Sequence, residues 1–161
     1  GYLTEESAIE LFEKHKVMTR VELTSRQEVG YESYAKAINI EARTMIDMAK
    51  KEIIPAVIKY TTTVAQSIAA VKAVGADASV QEASLAEISK NLVAMNAALE
   101  KLETATDKAA AVEEPKAQAI DYRDDVFTAM SELREPADAL EMLVDKSVWP
   151  FPTYGDLLFN V

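Results

Sequence analysis

Residues 85–102 read LAEISKNLVAMNAALEKL, and the spacing of their apolar side chains decides the fold. Leu85, Ile88, Leu92, Met95, Leu99 and Leu102 recur by alternating steps of three and four. Such steps keep one face of an α-helix turned toward a partner, which is the a/d seam of a coiled-coil-like hairpin or bundle. Alanines flank the seam and allow close helix approach. Just upstream, Gly75-Ala76-Asp77-Ala78 reads as a turn with Gly75 as a left-handed cap. Ser79-Val80-Gln81-Glu82 reads as a capping box that opens the seam helix.

Thr19-Arg20-Val21-Glu22 has the same capping-box form, and no strong stop follows it before Gly75. Tyr34, Ile38, Met45 and Met48 fall on one face together with Glu41, and Val57, Val64, Ile68 and Val71 continue a helical stripe. About 55 residues at 1.5 Å each give a helix of roughly 80 Å. Pro55 lacks an amide donor and is expected to kink it near Lys51. Gly30 marks a second, weaker site of bending. Closer to the N-terminus, Thr4 is expected to cap a short helix whose apolar side is Ile9, Leu11 and Phe12.

Beyond the seam, Glu113-Glu114-Pro115 breaks the pattern, and Pro115 suits the first turn of a third long helix. The stripe expected there is Ile120, Phe127, Met130, Leu133, Ala137, Leu140 and Val144, with a kink at Pro136. From Ser147 the character changes. Trp149, Phe151, Tyr154 and Phe159 crowd around Pro150 and Pro152, which forbid a helix there and favour an extended form. A flexible tail would be polar, so this one must pack on its own bundle or on another domain. The expected fold class is all-α, since no strand-like alternation occurs. It is an antiparallel bundle or hairpin of about three long, Pro-kinked helices plus a short N-terminal helix and an aromatic C-terminal tail. Residues 1–146 form the elongated bundle and 147–161 the docking tail.

Composition narrows the function. The 161 residues carry a formal charge of −10, which speaks against nucleic acid and anionic membranes as partners. Cysteine is absent and there is one histidine, so thiolate chemistry, disulfides and histidine-pair metal sites are excluded within one chain. Only four glycines and five prolines punctuate the chain, in keeping with few turns and long elements. There is no signal peptide and no apolar run long enough to span a membrane, so a soluble, cytoplasmic protein is expected. Gly1 stands where an initiator Met would, which points to a piece of a longer protein.

Few residues suggest chemistry. Asp121, Asp124, Asp125 and Glu132 read as a solvated acidic face rather than a divalent-cation site. His15, between Lys14 and Lys16, reads as a surface or helix-end group. Glu41 lies on the Tyr34–Met45 stripe and is expected to be partly buried with a partner, whereas Arg43 points elsewhere. Asn39, Glu41 and Arg43 therefore read either as a structural salt-bridge network or as a docking surface. No phosphate loop, nucleophile elbow or convergent acid–base pair is present. Spacing alone describes a helical packing or interaction module.

Two stretches resemble a known family. One is Leu11-Phe12-Glu13-Lys14-His15, Glu22-Leu23-Thr24-Ser25-Arg26, Tyr34, and the run from Ile38-Asn39-Ile40-Glu41-Ala42-Arg43 to Ile54-Pro55-Ala56. The other is Val126 to Met142 followed by Trp149-Pro150-Phe151-Pro152-Thr153-Tyr154-Gly155-Asp156-Leu157-Leu158-Phe159. Together they resemble the C-terminal helical region of type III glutamine synthetases, over about residues 3–60 and 126–161. The stretch 61–120 is generic Ala-rich helix and adds nothing to the likeness. The resemblance implies a parent enzyme that joins glutamate and ammonia using ATP and Mg2+ or Mn2+, through a phosphorylated γ-carboxylate. It implies that catalytic, nucleotide and metal residues lie upstream, so none is assigned to this chain, which by itself is expected to bind no cofactor. It also implies a double-ringed dodecamer. The expected role is that of an accessory module docking on the catalytic domain of its own chain and on neighbouring subunits, through Asn39, Glu41, Arg43, Trp149, Phe151, Tyr154 and Phe159. The rival is a bacterial sensory or adaptor coiled coil, suggested by the Ala-, Thr-, Ser-, Gln- and Glu-rich segment 61–111, which would pair in parallel and need no aromatic tail. A free-standing ligand bundle would need an internal pocket that the close-packed seam leaves no room for.

Overall fold

The computed structural model describes residues 2–152 and 154–158, which form helices joined by short turns and, among the described residues, no strand. After a 3-10 turn at Tyr2–Thr4 come α1 (Glu6–Lys14), α2 (Arg20–Met48), α3 (Ile54–Ala73), α4 (Ser79–Ala110), α5 (Pro115–Asp121), α6 (Phe127–Leu143) and α7 (Tyr154–Leu158). Two π-turns, Ala49–Ile53 and Tyr122–Val126, splice α2 to α3 and α5 to α6. The chain thus makes three long passes: Arg20–Ala73, then α4 in the opposite direction, then Pro115–Leu143. α4 packs most extensively on α6 and on α3, and α5 packs on α2.

Helix ends follow local chemistry, in part as expected. Thr19 and Glu22 form the capping box. The Thr19 amide donates to the Glu22 carboxylate at 2.8 Å, and the Glu22 amide donates to the Thr19 hydroxyl at 3.4 Å. The Thr19 amide and hydroxyl together hold the Glu22 carboxyl below the usual carboxylate range. Gly75 takes φ +75° and closes a Schellman motif, its amide donating to Lys72 O and that of Ala76 to Val71 O. The second capping box does not form. Ser79 is already inside α4 and donates its amide and hydroxyl to Asp77, while Glu82 is drawn across the turn into an ion pair with Lys72. Thr4 does not cap α1 either: its hydroxyl donates to Gln27 Oε1 on α2 at 2.9 Å. The cap of α5 is the Glu114 carboxylate, which accepts from the amides of Lys116 and Ala117 ahead of Pro115's fixed turn.

α1 ends on a Schellman motif built without glycine. Lys16 sits at φ +51°, its amide bonded to Glu13 O and that of Val17 to Phe12 O, each at 3.0 Å. A Cβ in this left-handed region is sterically disfavoured. Lys16→Gly is therefore expected to raise the unfolding free energy by about 0.5–1 kcal/mol, after the entropy that glycine adds to the unfolded chain. Urea melts of the two proteins check this, with Lys16→Ala as the control that should gain nothing.

The seam of α4 is the spine of the core. Ile88, Met95, Leu99 and Leu102 are buried, with Leu85 and Leu92 half-buried. Thr106 extends the seam as a buried polar residue that satisfies itself, its hydroxyl donating to Leu102 O at 2.7 Å. Along α2 and into the π-turn that follows, the buried line is Ala35, Ile38, Ala42 and Ala49, one residue beyond the expected Tyr34, Glu41 and Met48. Glu41 is exposed, not partly buried. In the third pass the offset runs one residue the other way, where Ala119, Tyr122, Val126 and Ala129 are buried while Ile120 and Phe127 face outward. Along α2 the alanines at heptad spacing let the helices come close, and close approach pushes the larger neighbours to the rim. Met130, Leu133, Leu140 and Val144 are buried as expected.

The disturbance expected near Lys51 is the π-turn Ala49–Ile53, in which the Ile54 amide reaches back to Ala49 O. Pro55 supplies no amide to the Lys51 carbonyl, so the ladder slips by one residue there. α2 runs unbroken through Gly30, and α6 runs through the buried Pro136. α3 meets α4 and, among the long helices, mainly α4. Val64, Ile68 and Val71 stay half-buried because two helices cannot enclose a seam, and Val74 at the turn is open to solvent.

Candidate functional site

The Asn39–Arg43 stretch lies on α2 where α4 crosses it. One helical turn brings Asn39 and Arg43 together, and Asn39 Oδ1 accepts from Arg43 Nε at 3.0 Å. Arg43 then reaches Asp107 on α4, Nη2 to Oδ1 at 3.7 Å. Ile40, Thr44, Ile46, Asp47 and Glu103 complete the walls of a shallow groove there, and Lys50 pairs with Glu103 at its end. Below it lies Tyr122, whose phenol is pushed up chiefly by burial, with Arg43 working against the shift and Asp107 adding to it. Glu41 does not join this cluster. These ion pairs face solvent, where each is worth a few tenths of a kcal/mol up to about 1 kcal/mol. The ridge is a polar, charged surface.

The aromatic tail folds back on the bundle. Val144 leaves the helical region with extended backbone, and Asp145 opens a turn whose carbonyl accepts from the amides of Val148 and Trp149. The Asp145 carboxylate accepts from the hydroxyl and amide of Ser147, which hold its carboxyl below the usual range. That turn aims Trp149 and Phe151 at the core, edge to face with centroids 6.5 Å apart. They line a small groove with Met48, Ile53 and Ala137. Lys146 pairs with Asp156, fastening the start of the tail to α7. The tail thus bends at Pro150 and Phe151 rather than running extended, and a helical turn follows at Tyr154–Leu158. Thr153 and Phe159, and the side chain of Tyr154, lie outside the described residues.

Of Asp121, Asp124, Asp125 and Glu132, the last three are drawn into ion pairs. Asp124 is held by Arg123, Asp125 by Lys108 at 3.0 Å, and Glu132 by Lys101. Among the described residues no three carboxylates or histidines converge on one point. His15 caps the end of α1, its amide bonded to Leu11 O. It also belongs to a feature that periodicity did not disclose. Leu11, Phe12, His15 and Val17 surround an open apolar groove. Of the expected apolar side of α1, only Ile9 is buried, and Leu11 is more than half exposed. The signal was there: α1 carries apolar residues on more of its surface than one neighbour can cover.

Residues 1–72 match the family of the glutamine synthetase C-terminal domain. The whole chain is 32% identical to a glutamine synthetase of Butyrivibrio fibrisolvens over 99% of its own length and 23% of that protein's. The chain matches the C-terminal domain of glutamine synthetase. It is also 27% identical to the type-3 glutamine synthetase of Dictyostelium discoideum, over 98% of this chain and 22% of that protein. A glutamine synthetase of Bacteroides fragilis is 27% identical over 90% of this chain and 21% of its own length. The chain therefore spans less than a quarter of the curated relatives it matches. Because the likeness runs nearly end to end, the Ala-rich segment 61–120 shares in it, although its residues had seemed generic. The sensory coiled-coil reading fails on the same finding, and the helices pair antiparallel. No described helix is long and apolar enough to cross a membrane.

Proposed function

We propose that this chain is the non-catalytic helical module of a cytoplasmic, ATP-dependent glutamate–ammonia ligase. It docks on the catalytic portion of its own chain and on neighbouring subunits of a dodecamer. One observation carries the reading: nearly the whole chain aligns with glutamine synthetases, yet it accounts for less than a quarter of their length. The larger portion is left to hold glutamate, ATP and the Mg2+ or Mn2+ that such a phosphoryl transfer uses. Among the described residues no three carboxylates converge as a metal-clamped phosphoryl transfer would need, and Asp124, Asp125 and Glu132 are each engaged by a lysine or arginine. What the chain does offer is long, rigid surface. The Asn39–Arg43–Asp107 ridge gives a polar contact, and the tail braces the splice between α2 and α3.

The test compares the full-length parent with a version lacking these 161 residues, by sedimentation mass and glutamine formation. Truncation is expected to dissociate the assembly and to cut glutamine formation in step with the lost mass. A truncated parent that remains a working dodecamer would remove the assembly role. Glutamine formation by residues 1–161 alone would overturn the non-catalytic reading.

A further inference from the structure

Trp149 and Phe151 are engaged with their own bundle, so the open apolar surface must be sought elsewhere. It lies at the corner of α1 and α2. Leu11 and Val17 are 56% and 60% exposed, and with Phe12 and His15 they wall an open groove of about 270 Å3. This corner is braced rather than loose. The Schellman motif at Lys16 fixes the end of α1, the Arg20 amide donates to Glu13, and Arg20 pairs with Glu6 at 2.5 Å. Beside it, exposed Glu13 and Lys16 line an adjoining hollow that shares Val17. A rigid apolar centre with polar residues beside it has the anatomy of an interface hot spot.

We propose that this groove seats an apolar side chain from the part of the parent chain that precedes it. The inference rests on the reading of this chain as the C-terminal module of a longer ligase. Three observations select that occupant. The matched relatives are more than four times as long as the stretch they share with this chain, so the unmatched portion is large enough to supply it. The matched family is a C-terminal domain, so that portion enters from the side of Tyr2, and the groove lies within the first 17 residues. The walls offer carbon almost throughout, which suits an apolar plug and not a nucleotide or a phosphate.

Hydroxyl-radical footprinting of the assembled full-length parent, read by mass spectrometry, tests this. Leu11 and Phe12 are expected to label about tenfold more slowly than open side chains of their type, because a seated plug excludes water. Leu11→Glu with Val17→Glu should restore labelling of Phe12, whereas Val93→Glu, on the exposed face of α4, should not. Labelling of Leu11 and Phe12 at the open rate in the unmodified parent overturns the proposal. So does a dimer of residues 1–161 that Leu11→Glu dissociates, since a second copy would then be the occupant. Glutamine formation is assayed in the same preparation. Its absence counts against the ligase reading, while the footprint still reports whether the groove is filled.

Discussion

Leu102→Ala lowers the unfolding free energy of this chain by about 3–4 kcal/mol, in the middle of the range for buried leucines. The position explains the size. Leu102 is fully enclosed, and its two neighbours in sequence reach in opposite directions. Lys101 pairs with Glu132 on α6, and Glu103 pairs with Lys50 in the π-turn after α2. The leucine between them therefore points into the place where all three passes meet. The carbonyl of Leu102 is also tied down by the Thr106 hydroxyl, so the backbone has little freedom to collapse into the hole. Leu85→Ala is the informative comparison. That leucine belongs to the same seam but lies in the two-helix part, half-buried, where water already reaches one side. It is expected to cost about 1–2 kcal/mol, near the bare transfer of its methyl groups. Urea melts should show both losses as shifts in midpoint at constant slope. Equal losses at the two positions would mean that the third pass does not enclose α4 as described.

The contrast between those leucines also marks what the sequence could disclose. The seam of α4 was legible because its residues are large, apolar and evenly stepped, so periodicity and burial coincide. Periodicity misled where alanine does the packing. At Ala35, Ala42 and Ala49 the contact face is the one with the smallest side chains, and a search for bulk selects the adjacent line. Glu41 was thereby placed inward when it faces solvent. The capping box at Thr19 was readable because both partners are local. Ser79 had an equally good pattern but lost its Glu82 to Lys72, a contact that exists only once α3 and α4 are paired. Asn39 and Arg43 stand one helical turn apart, a pairing that the grouping with Glu41 did not single out, and their link to Asp107 depends on which residues of α4 arrive opposite them. The tail was recognisable as something that must pack, from its aromatic density. Its seat on Met48, Ile53 and Ala137 draws on residues nearly a hundred positions upstream as well as on a close neighbour, which no local pattern records.

Phe151→Ala is expected to free Trp149, and because Trp149 is the only tryptophan, its emission reports the event directly. In the native chain the indole lies half-buried with Phe151 edge-on to it and Ile53 and Met48 beneath. Removing the phenyl ring takes away that contact, worth about 0.5–1.5 kcal/mol beyond area, together with the burial of the ring itself. A ring only partly covered returns less than the 3–5 kcal/mol of a fully buried phenylalanine, so the total loss should be about 2 kcal/mol. The Trp149 emission should shift to the red and its quenching by acrylamide should rise toward that of the unfolded chain. Asp145→Ala offers a second route to the same state, since it removes the acceptor that aims the tail at Ser147 and leaves the aromatic rings untouched. If the native indole is already fully quenchable and neither substitution changes it, the tail does not rest on the splice between α2 and α3. If both substitutions release it, the aromatic tail acts first on its own bundle. It then holds in place the splice from which α3 runs out to its pairing with α4.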